Sequence, residues 1–377
     1  MGFDLMNNDQ AITLDIVIPS FRADVEVLNS IRNLSIPKNM IRKIIVVLDD
    51  PLHPLPRELE DWSTFDDLSI LINDVNLGAG EARNRGIDAA DSDWVLFLDD
   101  DIYPEPNLLH VYAKSIEEKG AKAPGFVGIT RLPETVSTFT RGIVASDILT
   151  FFDLAEHRDH MPWGVTANLL VRRDAIGNHR FKSLFPKSGG GEDIDFCFQI
   201  QKTFGARFTS TPEAVVHHPW WSNSKRRYRR AFRWGFSDTM LPSIYKEHSW
   251  RDIPNTVEIF SVFLLLSIPM YTFSVLTIME ILLFSGLIII GEWVAEWLRQ
   301  ILSNSFYSPI TAIESSTIRL AFALGGVYYL TSTLNLLNIG KKFDYGYNEW
   351  PKQNRKWSIL RISIQALLIF LYCTLSY

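Results

Sequence analysis

Apolar positions in the first half of the chain recur in two alternating rhythms. Short continuous apolar runs, ITLDIVIPS (12–20), IRKIIVVLDD (41–50), LSILIND (68–74) and DWVLFLDDD (93–101), read as buried strands. Between them DVEVLNSIRNL (24–34) and the glycine-led GAGEARNRGIDAA (78–90) carry helical spacing. Strands separated by helices imply right-handed crossovers, so the predicted fold class is α/β with a mostly parallel sheet. From Pro124 to Trp221 the pattern is mixed. Strands at ANLLVRR (167–173) and ARFTST (206–211) flank FPKSGGGEDIDFCFQIQKTFG, where Gly189 to Gly191 free the backbone and a helix is predicted from near Glu192.

After Pro254 the rhythm disappears and apolar residues concentrate in three blocks, 258–291, 319–340 and 359–377. Each is long enough, at about 20 residues per crossing, to span a bilayer. Within the first, Ile259 to Ile290 is 32 residues, about 48 Å of helix against a hydrocarbon core of about 30 Å. It reads as one long broken segment or a tight hairpin, with Pro269 marking the kink or turn. Charge chooses between them. The segment Gly291 to Thr317 holds only Arg299 as a cation, whereas Lys341, Lys342, Lys352, Arg355 and Lys356 crowd the next one. Positive-inside then predicts three crossings: the first block once, Leu320 to Leu337, and Leu360 to Leu375. A hairpin would make four and reverse that arrangement. Glu280 is expected to face a partner helix or the interface.

Composition sharpens this division. An apolar fraction of 47% and a net charge of −6 over 377 residues are averages over two solvents. KRRYRRAFR, Lys225 to Arg233, places six cations in nine residues just ahead of the apolar blocks, as a cytosol-facing, membrane-proximal segment would. The expected organisation is a catalytic domain over 1–236, an interface segment over 237–257 and a transmembrane region over 258–377, with Pro254 separating soluble from membrane parts. The opening MGFDLMNNDQ has no basic-then-apolar leader, and Met6 stands where a myristoylation signal needs Ser or Thr, so the first domain is expected in the cytosol. Cys197 and Cys373 give neither a disulfide framework nor zinc spacing. No nucleic-acid partner is expected.

Three predicted strands end in Pro19-Ser20, Asp49-Asp50 and Asp99 to Asp101, so polar groups converge on the sheet edge where α/β proteins bind ligands. Asp99 and Asp101, two apart on an extended segment, point to one side and repel unless neutralised. Either they form an acidic turn or they hold an oxygen-preferring divalent cation, Mg2+ or Mn2+, shared with substrate phosphates. The glycines at 78, 80 and 86 miss the dinucleotide spacing, because Arg83 stands where the third glycine belongs. A dehydrogenase is therefore disfavoured. Arg83 and Arg85 offer forked donors suited to a diphosphate, or else decorate a surface helix.

Taken in order, IVIPSFR, the strand ending in Asp49-Asp50, NLGAGEARNRGIDAA, FLDDDIYPEP, GVTANLLVRRDA and GGGEDIDFCFQI resemble the motifs of family 2 glycosyltransferases with the GT-A fold. The resemblance runs from Ile12 to Arg233. It implies that Pro19, Ser20 and Arg22 border a nucleotide sugar, with Asp49 or Asp50 near the base, Gly78 and Arg83 near the uracil or diphosphate, Asp99 and Asp100 at the ribose and Asp101 at the metal. It further implies Asp193 as the general base, with Glu192 its neighbour and Asp195 the fallback. His217 or His218 would supply a further metal ligand, and Trp163, Trp220 or Trp221 would stack on the acceptor. RAFRW (230–234) resembles the Q-x-x-R-W motif of processive synthases, with Arg230 in place of glutamine; Arg233 and Trp234 would still border donor or acceptor. The activity implied is inverting, metal-dependent transfer from a nucleotide sugar, UDP-sugars before GDP-mannose, to a lipid, lipid-linked glycan or other membrane-associated acceptor. DDDI with a downstream histidine and tryptophans is also similar to galactofuranosyltransferases of that family. Two other classes fit the same residues: a nucleotidyltransferase, and a non-catalytic membrane scaffold with a degenerate transferase domain.

Overall fold

The computed structural model describes residues 11–376 apart from 51, 53, 54, 63, 64, 188, 304, 306, 307 and 349, and apart from the side chains of 350–353 and 376. The leader and myristoylation expectations at residues 1–10, Ser188 of the glycine loop and the Lys352 side chain thus lie outside the described residues. The chain forms two compact units, one of Met1–Pro133 with Thr150–Trp220 and one of Glu134–Leu149 with Trp221–Tyr377.

The first unit is built on nine strands: β1 (Ile12–Ser20), β2 (Met40–Leu48), β3 (Leu68–Ile72), β4 (Trp94–Leu98), β5 (Tyr103–Pro104), β6 (Gly125–Arg131), β7 (His160–Met161), β8 (Asn168–Arg172) and β9 (Phe208–His217). They lie in the order β3-β2-β1-β4-β8-β6-β9-β5, with β7 also on β9. The β3-β2-β1-β4 half is wholly parallel. On the other side β8 runs antiparallel to β4 and β6, and β9 returns parallel to β6. The helices α1 (Val25–Arg32), α2 (Arg57–Trp62), α3 (Ala79–Ala89) and α4 (Leu108–Lys119) follow the first strands; α5 (Thr138–Ala145) belongs to the second unit; α6 (Arg173–Ile176) and α7 (Glu192–Phe204) complete the first.

The local reasons are visible in the residues. β1 and β2 are buried along almost their whole length, which suits apolar runs without alternation. Asp24 caps α1 by accepting from Glu26 N and Val27 N, and turns Val27, Leu28 and Ile31 into the core. α3 has a glycine in mid-helix because it lies directly on β1: a Cβ at Gly86 would meet Val17 Cγ1 at 2.3 Å. Helix propensity favours alanine there by about 1 kcal/mol, but overpacking a core costs about 1–3 kcal/mol. Gly86→Ala is therefore expected to lower the unfolding temperature of the detergent-purified protein.

The second unit holds α5, α8 (Arg229–Ile244), α9 (Thr256–Thr272), α10 (Ile278–Leu302), α11 (Pro309–Ser332) and α12 (Trp350–Ser376), with an antiparallel pair β10 (Ser249–Arg251) and β11 (Lys341–Phe343). The compact units thus divide at Trp220, ahead of both 236 and Pro254, because α8 packs on α11 through glycines that bring the two backbones together. Among the described residues three helices are long and apolar enough to cross a membrane, 278–302, 309–332 and 354–375. The expected single segment from Ile259 to Ile290 is corrected. α9 stops at Thr272, Ser274 takes φ +56°, and Thr277 with Glu280 closes a capping box that starts α10 afresh. Glu280 is thereby the capping carboxylate of a helix start. Gly291 and Arg299, expected in an extramembrane loop, sit inside α10.

Candidate active site

Four pieces of the first unit meet at the carboxyl edge of the sheet: the ends of β1, β2 and β4 and the start of α7. Asp100, just past β4, is buried and accepts from Ser20 Oγ (2.9 Å), Phe21 N (3.0 Å), Arg22 N (3.2 Å) and Arg22 Nη2 (2.5 Å). It therefore ties the β1 turn to β4, which leaves little capacity for a ligand. Pro19 is buried within β1. Asp49 behaves like Asp100, accepting from Asn73 Nδ2 (2.7 Å), Leu77 N (2.9 Å) and Gly78 N (2.7 Å). It holds the loop into α3, where Gly78 takes φ +94° and a Cβ would meet Lys187 at 2.7 Å. The half-buried Asp50 accepts from Leu52 N at 3.1 Å.

The neighbours of Asp100 are differently placed. Asp99 meets Arg83 Nη2 at 2.7 Å. Arg83 is buried, its Nη1 lies 3.8 Å from Glu192 Oε1, and its Nε and Nη1 make no hydrogen bond among the described residues. Asp101 lies 2.9 Å from Arg22 Nη2 and 3.3 Å from His218 Nε2. Burial alone would raise the Asp101 pKa, but the hydrogen bond and charge of His218, then Arg22, hold it well below the usual carboxylate range. Burial would lower His218, and the Asp101 carboxylate outweighs it and raises the imidazole above its ordinary value. His218 Nδ1 is 2.6 Å from Pro219 O, which assigns its proton to that nitrogen and turns Nε2 toward Asp101.

These donors suit a hard or borderline divalent cation. One carboxylate and one imidazole nitrogen, oriented by a backbone carbonyl, leave the remaining positions to water and phosphate oxygens. Among the described residues no three His, Cys, Asp or Glu side chains gather as a preformed metal cage. The four expected ligands separate: Asp101 and His218 face each other, Asp99 faces Arg83, and His217 sits at the exposed end of β9 with Glu105 Oε1 at 2.7 Å. The period-two rule for a strand places neighbouring histidines on opposite sides, but only the tertiary structure says which faces the aspartates.

The three carboxylates at the start of α7 also differ. Gly189, Gly190 and Gly191 all have positive φ, +85°, +132° and +87°, a path that only glycine follows without strain. Glu192 turns back to accept from Gly190 N at 2.5 Å. Asp195 is fully buried between Lys182 Nζ (2.8 Å) and Gln199 Nε2 (2.6 Å). Asp193 keeps part of its surface open to solvent. Burial of its carboxyl, followed by the adjacent Glu192 charge, pushes its pKa up to about 8 against the pull of Arg83.

The sequence pattern does not mark Asn84. Its amide donates to Phe181 O and accepts from Phe181 N, each at 2.8 Å, and so fixes the strap that leads to Lys182 and Lys187. Only its place one residue after Arg83 hinted at this. Trp163 and Trp220 are almost wholly buried, Trp163 packing on Phe151 at 4.9 Å. Trp221, Arg233 and Trp234 belong to the second unit. There the Arg230 guanidinium lies 4.5 Å from the Trp221 ring and 5.8 Å from that of Trp234, so the residue standing in for glutamine makes cation–π contacts.

A mostly parallel α/β sheet with an acidic cluster along its carboxyl edge is the GT-A architecture. Residues 15–179 match the family described as Glycosyl transferase family 2. The chain is 29% identical over 236 residues to the succinoglycan biosynthesis protein ExoM of Rhizobium meliloti, covering 59% of this chain and 74% of that one. It is 26% identical over 172 residues to the glycosyltransferase AglE of Haloferax volcanii, covering 43% of this chain and about half, 53%, of that relative. A mannosyltransferase from Pyrobaculum calidifontis, solved with GDP-Man and Mn2+, has the same fold: TM-score 0.52, 14% identity, 85% of this chain and 88% of that one. Residues 15–179, which carry β1 to β4 and the acidic edge, are thus a family 2 glycosyltransferase domain.

Proposed function

We propose that the protein transfers a sugar, with inversion, from a nucleotide sugar to a hydroxyl of a membrane-associated lipid or glycan. UDP-sugars are the first candidate donors and GDP-mannose the second. The observation that carries this reading is the division among the α7 carboxylates. Glu192 holds the glycine loop, Asp195 is paired with Lys182, and Asp193 combines partly open surface with a raised proton affinity.

Asp193 takes the proton of the acceptor hydroxyl as that oxygen forms its bond to the anomeric carbon and the bond from that carbon to the diphosphate breaks. Nε and Nη1 of Arg83, without a hydrogen-bond partner among the described residues, supply donors for charge developing on the departing diphosphate, and Asp99 keeps the guanidinium in place. Asp101 and His218 would hold Mg2+ or Mn2+, which when bound neutralises diphosphate charge. Asp99 also remains the candidate for the ribose, and Arg22 and Asp50 for the nucleotide border. Trp163 and Trp220 have little surface left for stacking on an acceptor. The basic segment 225–233 and Lys341 with Lys342 favour a cytosolic catalytic unit.

The test is nucleoside diphosphate release from UDP-, GDP- and dTDP-sugars by detergent-purified protein with Mn2+, Mg2+ or chelator. Cation-dependent release from one donor supports the reading; pyrophosphate release in its place would make the enzyme a nucleotidyltransferase. His218→Ala is expected to weaken the cation dependence, raising the half-saturating Mn2+ concentration, while His217→Ala leaves it unchanged.

A further inference from the structure

The β10–β11 pair imposes a parity on the membrane helices. Ser249 pairs with Phe343, Trp250 with Lys342 and Arg251 with Lys341, so the chain stands on one side of a bilayer both just before α9 and just after α11. Between them α9, α10 and α11 cross an even number of times. One crossing per helix is excluded, and the open question is which two of the three span.

α11 qualifies by length and composition, yet 44% of its apolar window is buried against protein, compared with 22% for α10 and 11% for α12. It runs alongside α8 in the same direction: Tyr228 Oη donates to Glu314 (2.6 Å) at one end, and Asn338 Nδ2 donates to Ser243 Oγ (3.2 Å) at the other. Between these, a Cβ at Gly235 would meet Phe322 O at 1.7 Å and one at Gly325 would meet Phe232 O at 1.9 Å, so the two backbones touch. A bilayer crossed by α11 would have to admit α8 as well. α8 carries Arg229, Arg230, Arg233 and Asp238, and a charge at the centre of a bilayer costs about 2.5–3.5 kcal/mol even on insertion scales. α11 adds Glu314, paired with Arg226 at 2.8 Å, and Arg319.

α9 and α10 expose more apolar surface, and the charges of α10 are Glu280 in its first turn and the buried Glu292, Glu296 and Arg299 toward its other end. Leu265, Ile268, Phe273, Met279 and Leu282 are each more than half exposed along them, and the turn 273–277 between them contains no charged residue. Phe284 of α10 lies against Phe263 of α9 (6.3 Å) and Tyr372 of α12 (5.8 Å), so three helices form one cluster. Its polar layer is at one level. Thr256 donates to Glu292, and Gln365 Nε2 donates to Thr256 Oγ1 (3.0 Å) and Ile288 O (2.9 Å). Exposed Trp293 and Trp297 stand near that level, and Tyr271 and Phe273 at the turn. From Ile278 to Trp297 is about 28 Å of helix, matching a hydrocarbon core of about 30 Å with aromatic residues at both interfaces.

We propose that α9, α10 and α12 are the helices that cross the bilayer, that the 273–277 turn emerges on the side opposite β10 and β11, and that α11 stays with α8 on the β10–β11 side. The test uses Cys373→Ser protein, Cys197 being buried, with Val275→Cys, Ser303→Cys or Leu337→Cys added singly. Each is labelled with a membrane-impermeant maleimide in right-side-out cells and in inverted vesicles. The expected pattern is labelling at 303 and 337 from one side and at 275 from the other. Labelling at 303 from one side with 275 and 337 on the other would make α10 and α11 the spanning pair and overturn the proposal. So would labelling of all three from one side, or labelling at 275 only after detergent, which would mean a hairpin that dips without crossing. Donor-dependent stabilisation of each variant reports separately on the catalytic unit, so the outcome is independent of the donor reading.

Discussion

Asp193→Asn is expected to lower turnover by about 10²–10⁴-fold, the usual contribution of a positioned general base, while donor-dependent thermal stabilisation persists. The substitution keeps the shape and removes only the capacity to take a proton. Asp195→Asn makes the control. The buried Asp195 carboxylate is held by Lys182 and Gln199, so its loss is expected to lower the unfolding temperature by removing the charge-assisted hydrogen bond to Lys182. Full activity in Asp193→Asn would remove it as the base.

The raised pKa of Asp193 has two further consequences with opposite signs. The base works deprotonated, so turnover of the wild type is expected to rise with pH through about 8, and that limb should be missing from the residual activity of Asp193→Asn. Stability moves the other way. The folded pKa lies above the ordinary value of about 3.9, so the stabilising contribution of this group is fully present below that ordinary value and is lost as pH rises through about 8. At pH 8 and above, Asp193→Asn is therefore expected to unfold at a higher temperature than wild type even as it loses activity. A purely structural carboxylate would not give that pairing.

The second large effect is expected at Asp101. Asp101→Ala should abolish cation-dependent donor stabilisation and reduce nucleoside diphosphate release by at least about a hundredfold, the scale of losing one positioned electrostatic group. Asp100→Ala provides the contrast. Asp100 ties Ser20, Phe21 and Arg22 to β4, so its loss is expected to lower the unfolding temperature of the protein first. If Asp101→Ala kept the cation dependence of wild type, the cation site would have to be sought elsewhere on the sheet edge.

Strand and helix rhythm in residues 12–101 named β1, β2, β3, β4, α1 and α3 because such signals are local: continuous apolar runs for strands buried on both faces, a capping Asp24, a glycine-led helix. The same rhythm brought Ser20, Asp49 and Asp99 to Asp101 to one edge, since parallel strands end together. What a string of carboxylates cannot disclose is which of them is already occupied. Asp49 and Asp100 serve backbone amides, Asp195 serves a lysine, and Asp99, Asp101 and Asp193 face the edge; these partners lie 13 to 80 residues away in the chain. In the apolar half, hydropathy located the blocks but left Ile259 to Ile290 as one broken segment or a hairpin, because a turn set by Ser274 and a Thr277–Glu280 cap leaves no dip in apolar content; charge then favoured the single segment. The sequence alone determined the fold class, the edge that carries the chemistry and the presence of helices apolar enough for a membrane, since each follows from periodicity and composition. Only the tertiary structure decided which carboxylates are tied to backbone amides or to Lys182, which histidine meets Asp101 and which apolar helix packs on α8, because each depends on contacts between segments far apart in the chain.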